Sequence, residues 1–441
     1  MASPLRRPER RPSPRPAIES RSAELTIDYM AAGGDGAARL PDAQTVFMPF
    51  TLPGETVRAM LTGQSRATLE TILTASPQRI KPPCPHFGAC GGCALQHWDD
   101  SSYAAWKQDL LRRALEKAGF SNPATAPLQR TPPAARRRME FAARRVADGV
   151  TLGLHAAHTQ TIVPIDGCTV LHPALERLLA PLRTLLGSLN GLKRSADIAA
   201  NLLDNGVDLL IRADAEANAI DRKRLAAFAA AQNIARIAWS IGPGTPENAA
   251  LLRLPEITFA GARVNPPPAA FLQASAQGEA AIVAAVLAAL PEKLPAKARI
   301  IELYAGIGTL SFPLATRARV QAYEGDRPAA EALRRAAGGT RVEAMQRDLT
   351  RQPLQAKELA GASAVVLDPP FAGIGAQLPT LAAARVPVVV LVSCNPVALA
   401  REAAVLREAG YALISATPID QFVWSAQLEA VCVFQLKAKA N

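Results

Sequence analysis

Three rhythms of apolar and polar positions follow one another along the 441-residue chain. From Ala23 the pattern is short and alternating: "AELTIDYM", "TVFMPF", "TVRAML" and "ATLETIL", separated by the turn formers "AAGGDGAARL" and "LPGE". Alternation with period two between Gly/Pro turns marks half-buried strands. Several of them at this spacing predict a small β-barrel over residues 23–78. A helical rhythm follows in "SSYAAWKQDLLRRALEKAGF" (101–120), with Ser101 or Ser102 expected as its cap and Gly119 as its stop. A strand-rich middle region, 79–270, contains "RRRMEFAARR" and ends near the proline run of "ARVNPPPAAFLQ". It is expected to be α+β.

From residue 271 to 441 the grammar changes to alternating helix and strand. Helices are expected at 278–290, 309–317 and 328–337, around the strands "RIIELYAG" and "VQAYEGD". "ASAVVLDPP" and "VPVVVLVSCNP" follow as further strands, and "YALISATPID" and "LEAVCVFQL" form a closing pair. These strands are continuous apolar runs, as expected where helices cover both faces of a parallel sheet. The fold class is therefore α/β in this part, a Rossmann-like doubly wound sheet. Residues 1–22 read instead as a disordered basic arm broken by prolines.

Composition narrows the function. An apolar fraction of 49% is enough for ordinary buried cores. The longest apolar run, "AAIVAAVLAAL", falls short of the ~20 residues that cross a bilayer. The opening "MASPLRRPERRPSPRP" has no apolar core, so export is not expected. A cytoplasmic protein without membrane partners, acting as a monomer, is the expectation. The net charge of +11 favours a polyanionic partner, most simply nucleic acid. "RRRMEFAARR" alternates basic and apolar residues, as a strand with one face toward phosphate would. Six cysteines in such a chain point to reduced thiols serving metal or catalysis.

Three cysteines crowd into "CPHFGACGGC": Cys84, Cys90 and Cys93. With Cys168 of "VPIDGC" they make four thiolates, enough for a cuboidal iron–sulfur cluster or a zinc tetrahedron. His86 and His97 flank them and are read as hydrogen-bonded, since the cysteines suffice. Cys432, inside an apolar strand, is read as core.

"IIELYAGIGTLS" is strand, glycine turn and helix start, with Gly306 and Gly308 letting backbone N–H groups meet a ligand. Glu324, at the end of the next strand, is placed to accept both hydroxyls of a ribose. Asp348 follows the strand after that and either approaches an adenine amine or is a plain loop carboxylate. The Glu–Leu–Tyr–Ala–Gly–x–Gly run resembles the first motif of class I S-adenosylmethionine (SAM)-dependent methyltransferases. Asp368 and Cys394 lie just past apolar strands, at the sheet edge where ligands bind. A thiolate adding to C6 of uracil makes C5 a carbon nucleophile toward a methyl group. A base must then take the C5 proton before the thiol leaves. Cys394 is the candidate nucleophile, and Glu429 the candidate base.

Together these motifs resemble the SAM-dependent RNA 5-methyluridine methyltransferases, in particular the bacterial 23S rRNA branch with an iron–sulfur cluster. The resemblance spans residues 20 to 437. It implies an N-terminal TRAM (OB-like) RNA-binding barrel and a [4Fe-4S] cluster on Cys84, Cys90, Cys93 and Cys168, with zinc as the alternative. It further implies SAM contacts from Gln273, Tyr304, Gly306, Gly308, Glu324, Asp348 and Asp368, and an RNA substrate. Phe371 replaces an arginine usual after Asp-Pro-Pro. Ser275 replaces the Asn of Phe-x-Gln-x-Asn, and Gln427 a histidine two residues before the base. Methylation of tRNA, and a weakly active or non-catalytic RNA-binding factor on this fold, are the alternatives.

Overall fold

The computed structural model describes residues 21–63 and 65–437. Residues 1–20, which hold nearly all of the expected basic arm, lie outside the described residues. Arg21 and Ser22 already belong to the first strand, Arg21–Thr26. The chain divides into two compact units, the first ending at Arg79 and the second beginning at Ile80.

In the first unit the alternating stretches form two three-stranded antiparallel sheets. One is ordered Arg21–Thr26, Thr56–Leu61, Ala67–Thr74 and the other Tyr29–Met30, Gly36–Arg39, Thr45–Met48. Every second residue of Thr56–Leu61 is buried, and Leu25, Ile27, Val46, Met48, Val57 and Ala59 share one core. The buried Glu55 carboxylate accepts from Arg79 Nε at 2.5 Å and from Leu52 N at 2.8 Å. Although burial opposes it, these bonds hold its pKa below the usual value.

The second unit contains both the middle and the C-terminal regions. A seven-stranded sheet runs Ile162–Pro164, Gly149–His155, Arg138–Val146, Ser195–Leu203, Gly206–Ala213, Ile234–Ile241, Glu247–Leu251. Its apolar face packs Leu182, Leu186, Leu225 and Phe228 from the helices Leu179–Ser188 and Ala219–Gln232. An eight-stranded sheet follows the order Val342–Gln346, Arg319–Glu324, Arg299–Leu303, Ala364–Leu367, Val388–Ser393, Glu429–Leu436, Tyr411–Asp420, Gln129–Arg130. The first five strands are parallel and Glu429–Leu436 is antiparallel to its neighbours. This is the expected doubly wound sheet, closed by the expected pair. The strand order reverses between Arg299–Leu303 and Ala364–Leu367, which opens a crevice at their carboxyl ends.

The two regions are interwoven. Gln129–Arg130, far from the other strands in sequence, pairs parallel with Tyr411–Asp420. The helix Asp100–Lys117 packs on the helix Pro396–Glu408. Its cap is Asp99, not Ser101 or Ser102: the Asp99 carboxylate accepts from both serine N–H groups at 3.1 and 3.0 Å. A carboxylate is the stronger acceptor at the positive helix end, so the helix starts one residue earlier. Gly119 follows the helix at φ +89°. Cys432 is fully buried.

Candidate active site and cysteine cavity

Arg299–Leu303 ends in Tyr304, which holds a left-handed φ of +64°, and its hydroxyl donates to Ile374 O at 2.7 Å. Such backbone in a non-glycine residue is costly and clusters at functional loops. Gly306 and Gly308 continue the turn at φ +57° and +103°. A Cβ on Gly308 would stand 2.5 Å from a Phe312 ring carbon and 2.7 Å from Leu333 Cδ1, so glycine is required for the following helix to pack. The resulting cavity is walled by Gln273, Tyr304, Gly306 and Asp368 of the expected set, together with Phe271 and Glu302. Gly308, Glu324 and Asp348 are not in that wall. Glu324 touches the loop through Gly306, whose N–H donates to its carboxylate at 2.7 Å. Asp348 accepts from Thr350 N at 2.9 Å and is held below the usual carboxylate range by that residue's bonds. Only its place in the glycine motif marks Glu302 in the sequence. It is buried, hydrogen-bonded by Ser311 Oγ at 2.5 Å, and pushed up to about 8 by burial.

A hydrogen-bonded chain leads from this cavity to the candidate base. Gln273 Nε2 donates to Asp368 at 2.9 Å. Gln421 Nε2 donates to Gln273 Oε1 at 2.7 Å and to Glu429 Oε2 at 2.8 Å, and Gln421 Oε1 accepts from Ala274 N at 3.0 Å. Gln273, Gln421 and Glu429 are all buried. The second carboxylate oxygen of Glu429 is buried with no hydrogen-bond partner among the described residues. Burial and the neighbouring Asp368 raise the pKa of Glu429, while the Gln421 bond lowers it. Burial likewise raises Asp368. The sequence had singled out Gln273 and Glu429 but not Gln421, the group that joins them.

Cys394 follows Val388–Ser393 and is half-buried. Burial, then the nearby Glu429 and Asp368 carboxylates, push its thiol up to about 12. Asn395 caps the next helix, accepting from Val397 N at 3.0 Å, and donates to Phe371 O at 2.9 Å. The departures from the family pattern have local accounts. Ser275 caps the helix Ala276–Ala288, accepting from Gly278 N at 3.0 Å. Phe371 stands exposed beside the nucleophile loop. Gln427 is exposed, and its carbonyl accepts from Lys107.

Cys84, Cys90, Cys93 and Cys168 line one cavity, with Arg136, Gln421 and Ser425 in its wall. Burial raises the thiols of Cys90, Cys93 and Cys168, Cys93 to about 12, and each is raised further by its neighbouring cysteines. Among the described residues no group of three or more His, Cys, Asp or Glu side chains is gathered tightly enough to hold one metal ion. His86 Nε2 stands 2.6 Å from Asp166 O, joining the two cysteine segments by hydrogen bonding. Gly91 is pressed onto the Gly149–His155 strand: a Cβ there would meet His155 O and Ala157 N at 2.9 Å.

The arginines of "RRRMEFAARR" differ in placement, and Arg144 stands exposed. Arg137 is buried against Glu279 at 2.5 Å, and Arg145 donates to Leu189 O and Leu192 O at 2.7 and 2.8 Å. Arg136 lines the cysteine cavity, and Arg138 lies 4.8 Å from the Phe271 ring centroid. A carboxylate and carbonyls of the fold hold Arg137 and Arg145.

No helix among the described residues is long and apolar enough to cross a membrane. No family model matches the chain. An uncharacterized RNA methyltransferase of Brucella suis biovar 1 is 40% identical over 418 residues, covering 94% of this chain and 98% of that protein. The 23S rRNA (uracil(1939)-C(5))-methyltransferase RlmD of Halomonas elongata is 35% identical over 446 residues, covering 95% and 92%. In structure the chain resembles the tRNA (uracil-54, C5)-methyltransferase of Pyrococcus abyssi, solved with S-adenosyl-L-homocysteine. The TM-score is 0.68 at 20% identity, over 93% of this chain and all of that one. By these relatives, the chain belongs to the SAM-dependent RNA (uracil-C5) methyltransferase family.

Proposed function

We propose that this protein methylates C5 of a uridine in 23S rRNA. The observation that carries the reading is the pairing of a strand-end thiol with a buried carboxylate that keeps one oxygen free. SAM supplies an electrophilic methyl group, and the Gly306 loop, Gln273 and Asp368 are the residues that would bind and orient it. The Cys394 thiol gives its proton to water as its sulfur bonds to uracil C6, and the C5–C6 electron pair moves to C5, which takes the methyl group and leaves S-adenosyl-L-homocysteine. Glu429 then accepts the C5 proton on its unpartnered oxygen, the C5–C6 double bond re-forms and the thiolate departs. The raised pKa of Glu429 suits it to accept a proton from carbon near neutral pH. A target uridine must leave its stack to reach Cys394.

The four-cysteine cavity supports a [4Fe-4S] cluster bound by Cys84, Cys90, Cys93 and Cys168. A single zinc ion needs its sulfurs within ~2.3 Å of one point, whereas a cluster spreads its ligands more widely. Arg136 in the wall would offset the negative charge of such a group. The first unit, with two antiparallel sheets over one core, supports a TRAM-like RNA-binding barrel.

Purified protein incubated with SAM and either 23S rRNA or tRNA transcripts, followed by nucleoside mass spectrometry, tests the reading. It predicts 5-methyluridine in the 23S transcript. Product in tRNA alone would transfer the activity to tRNA, and none in either would support the binding-factor alternative.

A further inference from the structure

The candidate base sits at the end of a loop held largely from outside. Residues 421–428 join the last two strands of the large sheet and carry Gln421 at one end and Glu429 just past the other. Their anchors come from the segment that follows the cysteine loop. Ala94 N and Leu95 N both donate to Trp424 O, at 2.8 and 3.0 Å. Trp424 N donates to the Tyr103 hydroxyl at 2.9 Å, and that hydroxyl donates to Asp420 Oδ2 at 2.7 Å. Lys107 Nζ donates to Asp420 Oδ1 at 3.0 Å and also to Gln427 O. Both ends of the loop are therefore tied to one helix, Asp100–Lys117.

Two features show that this knot fixes a conformation. Trp424 adopts a left-handed φ of +59°, which a tryptophan keeps only where its surroundings over-determine it, as the bonds to its N–H and C=O do. Tyr103, Lys107 and Asp420 are fully buried. A buried ion pair is weak evidence of net stability, because desolvation offsets much of the attraction. Its geometry nevertheless ties both ends of the loop to the helix. Gln421, Val423 and Ser425 of this loop also wall the cysteine cavity, so one segment touches both centres.

We infer that Tyr103 and Lys107 are positioning residues for Glu429, acting through Asp420 and Trp424 to fix the loop that sets Gln421 and the free carboxylate oxygen. This rests on the reading of Glu429 as the base. It makes the region beside the cysteines a determinant of proton removal, not of SAM binding.

The test uses the full chain with its cysteine-bound group intact, comparing wild type, Tyr103→Phe, Lys107→Met and Glu429→Gln. The readouts are the methylated covalent protein–RNA adduct on a denaturing gel and SAM affinity. Tyr103→Phe keeps the ring and removes only the hydroxyl. It is expected to raise the adduct fraction and slow product release about tenfold, with SAM affinity unchanged. Lys107→Met, a second route to the same loop, is expected to act in the same direction. If Glu429→Gln accumulates adduct while neither positioning variant does, the inference fails alone. It also fails if adduct and SAM binding fall together. If Glu429→Gln itself accumulates none, the reading of the base and the inference fall together.

Discussion

Replacing Gln421 by methionine keeps the length of the side chain and removes its amide. That amide gives Glu429 Oε2 its hydrogen bond and accepts from Ala274 N, both in the interior. Leaving buried partners unpaired costs about 1–3 kcal/mol each, so a stability loss on the order of 3 kcal/mol is expected by thermal or denaturant unfolding. The catalytic effect has a sharper signature. The Gln421 bond favours the charged form of Glu429, against burial and Asp368, which favour the neutral form. A hydrogen bond to an ionised group is worth about 1.5–3 kcal/mol, roughly one to two pKa units. At neutral pH the ionised fraction of Glu429, and with it the release step, should fall roughly 10- to 100-fold. Raising the pH should recover most of the deficit. The assay is single-turnover release of methylated RNA from the covalent adduct, as a function of pH. Wild-type release should itself rise with pH through neutrality, whereas an unperturbed carboxylate with pKa near ~4.3 would give a flat profile there. A deficit equal at every pH, or no deficit, would refute the role assigned to Gln421.

Gly308→Ala should weaken SAM binding and lower stability, because its Cβ would stand 2.5 Å from the Phe312 ring at a φ of +103°. Equilibrium binding and a melting curve check it, and wild-type values for both would count against the packing argument. Cysteine-cavity contents are tested by anaerobic purification with iron, sulfide and zinc analysis. Four iron and four sulfide per chain with visible absorbance are expected, lost on Cys168→Ser. One zinc without colour would overturn the cluster.

What could be read from the chain follows from where its signals are local. Ala364–Leu367 and Val388–Ser393 are almost wholly apolar runs, so the parallel sheet was visible, and Asp368 and Cys394 stood out as polar residues at strand ends. Gln129–Arg130 is too short to carry a period and becomes a strand only because Tyr411–Asp420 offers an edge. Gln421 looks like any loop glutamine until Gln273 and Glu429 are brought to it across the fold. Tyr103 and Lys107 are further from view, since they face Asp420 across more than three hundred residues of sequence. The partners of Arg137 and Arg145 were hidden for the same reason: Glu279 and the carbonyls that hold them lie in other segments.

The proposed mechanism requires a bond between Cys394 and the uridine that is methylated. An RNA substrate carrying 5-fluorouridine has no C5 proton for Glu429 to remove, so the adduct should persist. Peptide mass spectrometry after incubation with SAM should find a methylated 5-fluorouridine on the peptide containing Cys394, and none in Cys394→Ala. No adduct, or one on Cys84, Cys90, Cys93 or Cys168 instead, would contradict the account.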